Sequence, residues 1–385
     1  MTSALSRNAH DDDSFAAHRI DLDRLASAGR SRSLSLAGGR DFSSNDYLGI
    51  AGSSRLRDAV RRALDAGVAI GSGGSRLLRG HAPEHQALEE QAAHFFGAEA
   101  ALFFGSGFAA NVALLATLPQ RGDLIVHDAL IHASAHEGMR LARAPAVACG
   151  HSDPVRAHDE IVRWRRAGGT GTPWLAVESL YSMDGDRAPL AAFAEVAERH
   201  GGVLLVDEAH ATGVFGPDGR GLAAGLQGRG DVITLHTCGK ALGAEGALVC
   251  GPAIVREFLI NRARGFIFST APSPLMAAAT GESLRMLADE PERREALWAS
   301  VRLAEALLEP LGITATGSQI LPVVLGDDAR TMAAAATLRA RGLDVRGVRP
   351  PTVSPGTSRL RVSITGNVEP TDIEALAAAL AEVLR

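Results

Sequence analysis

Lys240 stands in HTCGKALGAEGALVCG (residues 236–251), between Gly239 and a run of small residues, in a chain whose 39 lysines and arginines are almost all arginine. A solvated lysine needs no such company; a lysine kept as a reactive amine does. Other groups with chemical use follow short apolar runs. Asp207, Glu208 and His210 close GVLLVDEAH, Tyr181 and Ser182 follow WLAVES, Thr237 closes DVITLHT, and His132 follows DLIVHD. AALFF leads into GSGFAAN, a Gly-Ser-Gly turn opening a helix, where free backbone N–H groups suit a phosphate. Singly, each has a plain structural use: Asp207 as a helix cap, His132 or His210 as satisfied core histidines, Lys240 reaching solvent by its stem. Together they are the groups that pyridoxal phosphate (PLP) chemistry requires. An amine condenses with the cofactor aldehyde, and an aspartate keeps the pyridine nitrogen protonated. A flat imidazole stacks on the ring, and helix N–H groups with hydroxyls such as Ser106 or Thr237 take the phosphate.

These residues must be brought together by the elements that carry them. The apolar runs at 100–105, 123–128, 174–179, 202–209, 231–237 and 246–251 lack polar alternation, as strands covered on both faces do. Helical patterns lie between most of them, such as APLAAFAEVAERHGG with its glycine stop. This order predicts an α/β fold with a mainly parallel central sheet, whose strand C-termini form the ligand edge. Residues 1–45 read as an N-terminal tail and helix, 46–275 as a large domain and 276–385 as a small C-terminal α/β domain.

Composition limits the alternatives. A length of 385 residues with 46% hydrophobic content supports a large core. A net charge of −5 gives no electrostatic footprint for nucleic acid. Cys149, Cys238 and Cys250 have neither metal-type spacing nor a disulfide framework, which fits a reducing cytoplasm. The N-terminus MTSALSRNAHDDDSFAAHRI has no signal-peptide h-region, and its first dozen residues read as a tail. No apolar run reaches the length of a membrane span.

The motifs in order are FSSNDYLG (42–49), GSGGSRLLRG (71–80), HQALEE (85–90), SGFAAN (106–111), HDALIHAS (127–134), SMDGDRAPL (182–190), LLVDEAHATGVFGPDGRG (204–221), TCGKALG (237–243) and RPPTVSPGTSRLR (349–361). On these the chain resembles the α-oxoamine synthases, a fold-type I family of PLP-dependent transferases, and among them the 8-amino-7-oxononanoate synthases. The resemblance implies that Lys240 bears the cofactor, Asp207 faces the pyridine nitrogen, His210 the phenolic oxygen, and His132 stacks on the ring. It puts Gly107, Phe108 and Thr237 at the phosphate, Ser182 in hydrogen bond to the cofactor, and Thr270 at the cofactor phosphate of a partner subunit. Arg361 would bind the amino-acid carboxylate with Asn45 nearby, and Thr352 the acyl substrate. An N-terminal arginine expected to touch substrate is Arg30 or Arg32, with Arg30 favoured. Two departures stand out: Ala211 where the family has glycine after DEAH, and SPGT where PAGT is usual.

The implied reaction is decarboxylative Claisen condensation of L-alanine with a pimeloyl thioester, on coenzyme A or acyl carrier protein, by a cytoplasmic homodimer that uses no metal. Lys240, Asp207 and His132 are its expected catalytic residues. Within the class the rival is glycine C-acetyltransferase, and outside it a non-catalytic PLP-binding protein. A nicotinamide dehydrogenase is disfavoured because no strand ending in a ribose-binding acid follows GSGFAAN at the required distance.

Overall fold

The apolar runs fold as the strands of one sheet in a computed structural model that describes residues 14–385; the expected tail lies outside the described residues. Strand β1 (Arg40–Asp41) comes first. It is followed by β2 (Ala100–Phe104), β3 (Leu124–His127), β4 (Ala146–Ala148), β5 (Pro173–Glu178), β6 (Val203–Asp207), β7 (Val232–Thr237) and β8 (Ala247–Gly251). These seven form a sheet in the order β2-β8-β7-β6-β5-β3-β4. Only β8 runs antiparallel to its neighbours, so the other six point their C-termini to one edge. Strand β4 gave no sequence signal because it is a short edge strand with no buried residue.

Side chains alternate across this sheet, and both faces are covered. Ala176, Leu205, Ile233 and Leu235 face a core shared with Ala110, Leu114, Leu115 and Phe266. Leu175, Val177, Leu204 and Val206 face the other way, onto Ile161, Phe193 and Ala197. Each such leucine, isoleucine or valine contributes about 2 kcal/mol by leaving water. Burial on both faces is why these strands carry continuous apolar runs. The helix Leu190–His200 ends at Gly201, whose φ of 59° is left-handed, and so returns the chain to β6.

Four further strands are β9 (Ile320–Gly326), β10 (Leu343–Asp344), β11 (Arg346–Val348) and β12 (Ser358–Ser363). Strands β11, β12 and β9 form an antiparallel sheet, while β10 pairs in parallel with β1. That short pairing draws the chain just after residue 41 towards the C-terminal elements. A single core cluster then runs from Phe42, Tyr47 and Leu48 through Phe103 and Leu248 to Leu360, Val362 and Leu380. Glu208, just past β6, serves this framework: it accepts from Ser179 Oγ at 2.9 Å, from Leu222 N at 3.1 Å and from Ala223 N. A side chain at Gly221 would collide with that carboxylate. The three cysteines are buried and free. Among the described residues no helix is long and apolar enough to cross a membrane.

Candidate functional site

The strand ends enclose a cavity of about 200 Å³ lined by Gly107, Phe108, Asn111, His132, Ser134, Glu178, Asp207, Ala209, His210, Leu235, Thr237 and Lys240. Seven of the residues singled out from the sequence meet here: Lys240, Asp207, His132, His210, Gly107, Phe108 and Thr237. A wider surface cleft of about 440 Å³, lined by residues that include Arg294, Glu295, Trp298 and Arg302, contains none of the residues singled out from the sequence.

Lys240 follows β7 in a turn closed by Gly243 N bonding Lys240 O at 2.8 Å. Its Nζ lies 2.9 Å from His210 Nε2. Burial lowers its pKa to about 8, against the opposing pull of Asp207 and Glu178. A lysine so placed is a nucleophile at mildly alkaline pH. Lys240 is also the only lysine in the sequence.

Asp207 ends β6 and receives a donor on each oxygen, Ala209 N at 2.9 Å and Asn111 Nδ2 at 2.7 Å. Asn111 also donates to Ser134 Oγ at 3.0 Å, and Ser134 Oγ lies 2.8 Å from His132 Nδ1. His132 is the N-cap of the helix Ala133–Leu141, and its Nδ1 accepts the Ser134 N–H as well. With Nδ1 accepting, the proton sits on Nε2 in the neutral ring. Desolvation, opposed by Asp207 and assisted by Lys240, holds its pKa below the ordinary histidine value. His132 leaves its ring accessible, as a stacking surface requires.

His210 is fully enclosed, and desolvation, with Lys240 and Arg361 close by, pushes its pKa well below the usual value. Its Nδ1 is 2.7 Å from Tyr47 Oη, which lies 2.9 Å from Asn45 Oδ1. Arg361, on β12, donates to Asn45 Oδ1 at 3.0 Å and to Tyr47 Oη at 3.3 Å. It also donates to Ser182 O at 2.6 Å and Ser363 Oγ at 2.7 Å. Four of the five guanidinium N–H groups are thus directed at protein atoms. One chain of contacts therefore runs from Arg361 through Tyr47 and His210 to Lys240.

The helix Gly107–Thr117 opens onto the same cavity, with Ser106 capping Ala109 N at 3.1 Å. The cap spends its oxygen there and leaves the Gly107 and Phe108 N–H groups for an anion. A side chain at Gly107 would lie 3.4 Å from Thr237 Oγ1, so glycine keeps that hydroxyl open to a bound group. A depressed amine, a strand-end carboxylate, an open imidazole face and a helix N-terminus fit PLP by their chemistry.

Other expected site residues lie outside the cavity lining. Ser182 meets the network through its carbonyl, to Arg361. Arg30 pairs with Asp328 at 3.2 Å, and Arg32 and Thr352 are exposed. Thr270 is exposed on a segment held by Ala271 N to Gly74 O at 2.9 Å and His85 Nε2 to Pro272 O at 2.8 Å. Conversely, Asn111, Ser134, Glu178 and Tyr47 take part in the site without having been singled out.

The aminotransferase class I and II family model matches residues 39–380. An 8-amino-7-oxononanoate synthase of Anaeromyxobacter dehalogenans is 46% identical over 356 residues, covering 90% of this chain and 87% of its own. The chain belongs to the 8-amino-7-oxononanoate synthase family. The synthase of Chromobacterium violaceum is 44% identical over 338 residues, 87% of this chain and 86% of its own. Among solved structures, an 8-amino-7-oxononanoate synthase from Francisella tularensis superposes with a TM-score of 0.74 at 26% identity, covering 89% of this chain and 97% of that one. A serine palmitoyltransferase from S. paucimobilis, with bound PLP-myriocin, reaches 0.87 at 27% identity, covering 96% and 97%. The expected fold-type I architecture and PLP as cofactor therefore stand for this synthase-family chain.

Proposed function

We propose that the protein condenses L-alanine with a pimeloyl thioester, releasing carbon dioxide and the free thiol of coenzyme A or acyl carrier protein and forming 8-amino-7-oxononanoate for biotin synthesis. The observation that carries this reading is Lys240, the sole lysine, held 2.9 Å from His210 in a strand-end cavity that also contains Asp207. When bound, PLP supplies an aldehyde for amine capture and a ring that accepts electrons from the substrate α-carbon.

This chain's residues do the rest. Lys240 would hold the cofactor covalently and, as a free amine, would take the α-proton of alanine at its Nζ. Asp207 holds a proton on the ring nitrogen. His132 would offer its ring as a stacking surface for the cofactor, and its Nε2–H is the donor available to the thioester carbonyl as negative charge develops there. The Gly107 and Phe108 N–H groups and Thr237 Oγ1 hold the phosphate, and Ser182 completes the cofactor's hydrogen bonds. Arg361, with Asn45, takes the alanine carboxylate by exchanging bonds now made to Asn45 and Tyr47. Thr352 and Arg30 face the acyl chain.

We further infer a homodimer in which Thr270 serves the partner's site. Ile70, Leu78 and Phe268 are exposed by 72, 82 and 72% on the two adjoining segments that carry Thr270, an apolar surface that a second copy would cover. Sedimentation of the active protein is expected to give a dimer; a fully active monomer at assay concentration would overturn this.

Substrate choice is tested by a grid of amino acids and acyl thioesters. Pimeloyl buries about four more methylenes than acetyl, worth roughly 3 kcal/mol or about a hundredfold in kcat/KM. L-Alanine with pimeloyl thioester should exceed glycine with acetyl-CoA by about that factor, with carboxyl label leaving as carbon dioxide. Preference for glycine and acetyl-CoA would make the protein a glycine C-acetyltransferase, and absence of turnover with every pair would leave a PLP-binding protein.

A further inference from the structure

The mechanism above gives no task to Glu178, yet its position is closely defined. It is the last residue of β5, in register with Asp207 at the end of the adjacent parallel strand β6. Such neighbours lie about 4.8 Å apart along the hydrogen-bonding direction, and both side chains line the same cavity. Glu178 is only 2% exposed. The backbone N–H of His132 lies beside it. Its Oε1 is buried with no hydrogen-bond partner.

Two carboxylates on adjoining strand ends differ in their supply of donors. Asp207 has an N–H on each oxygen, an environment suited to an ion. Glu178 has only the nearby His132 N–H, and among the described residues it forms no ion pair; the amine of Lys240 is engaged with His210. A second unpaired charge in this enclosed space would be costly, and a protonated carboxyl avoids that cost. Desolvation, followed by repulsion from Asp207, outweighs the attraction of Lys240 and the His132 N–H and holds its pKa well above the ordinary carboxylate range. An unpartnered buried oxygen is then a hydroxyl whose acceptor comes from the cavity's occupant.

We propose that Glu178 is a positioning residue that works as an uncharged carboxylic acid. Its carbonyl oxygen fixes His132 through the backbone, and its hydroxyl offers one donor to the bound cofactor beside Asp207. His132 N-caps its helix, so a bond to its backbone N–H sets where the imidazole lies over the cavity. Keeping Glu178 neutral leaves Asp207 as the one negative side chain opposite the ring nitrogen. The inference rests on the cavity being the PLP site, though not on which amino acid or thioester is used.

The test compares Glu178→Gln with Glu178→Ala. Glutamine is uncharged at every pH and keeps one acceptor and one donor in the same shape; alanine removes both. Each apoprotein is titrated with PLP, and the visible absorbance of the loaded protein is followed against pH. The Gln variant should bind PLP within about threefold of wild type and keep the same pH midpoint. The Ala variant should bind about tenfold or more weakly and shift that midpoint, with thermal melting used to confirm that it is folded. A Gln variant as impaired as the Ala variant would show that the charge matters and overturn the proposal. So would an Ala variant indistinguishable from wild type, or one too unstable to load accompanied by an impaired Gln variant. Failure of the wild-type protein itself to bind PLP would instead refute the functional reading on which the inference stands.

Discussion

Lys240→Ala eliminates turnover, by about ten-thousandfold or more, in a protein that remains folded. The size follows from the loss of two functions at once, covalent capture of the cofactor and movement of the substrate proton, of which proton transfer alone is worth about 10²–10⁴. The fold survives because, among the described residues, the Lys240 side chain makes only one hydrogen bond, to His210. The phosphate cradle at Gly107, Phe108 and Thr237 is untouched, so PLP still binds, without a covalent link. Lys240→Arg separates the two properties of the residue: it keeps the positive charge and should be equally inactive. Borohydride reduction of the wild-type holoprotein should place the pyridoxyl group on the peptide containing Lys240, the only lysine in the sequence. Label found on any other peptide would remove Lys240 from the site. Because burial lowers this amine to about 8, its free-base fraction rises as pH rises through that value. Capture of PLP by the apoprotein should therefore accelerate up to about pH 8 and level off above it. A rate still climbing as pH passes 10 would show an ordinary, solvated amine instead.

Such a lysine is legible in sequence because its setting is local: small residues on both sides and a β-strand just before. The same holds for Asp207 and Thr237, which end runs whose apolar continuity marks a doubly covered strand. Parallel strands bring such ends to one edge, so reading the ends amounted to reading most of the cavity. Glu178 carried the same signal, since WLAVES and GVLLVD both close on an acid, but its meaning depends on a strand register that only the folded sheet fixes. Asn111 lies one helical turn beyond Gly107, on the face that meets Asp207, and was hidden inside a motif read for its phosphate turn. The link between Asn45, Tyr47 and Arg361 joins residues some 316 positions apart. It depends on the β1–β10 pairing, which has no local signature. Residues assigned by resemblance alone, such as Thr270, Arg30 and Thr352, sit on exposed segments whose neighbours in a dimer or substrate complex would define their roles.

Asp207→Asn should lower α-proton exchange from alanine by about a hundredfold or more while leaving the protein folded and able to take up PLP. A carboxylate opposite the ring nitrogen favours its protonated form by charge pairing, and that proton is what lets the ring draw electrons from the substrate. Loss of roughly 3 kcal/mol of this stabilisation corresponds to the hundredfold effect. Asparagine is nearly isosteric, yet the site adds a second penalty. Both Asp207 oxygens already accept N–H groups, from Ala209 at 2.9 Å and Asn111 at 2.7 Å. An amide must turn its NH₂ towards one of those donors, and rotating Asn111 to relieve the conflict would disturb its bond to Ser134, and through Ser134 the pose of His132. A double variant separates the two causes. Asn111→Ala removes the opposing donor, so Asp207→Asn in that background should recover packing, measured by thermal stability, without recovering exchange. Deuterium incorporation into alanine in heavy water reads the proton step directly and needs no thioester. Near-normal exchange in Asp207→Asn would remove Asp207 from the mechanism. Recovery of exchange in the double variant would show that the loss in Asp207→Asn came from the clash with Asn111 rather than from the missing charge.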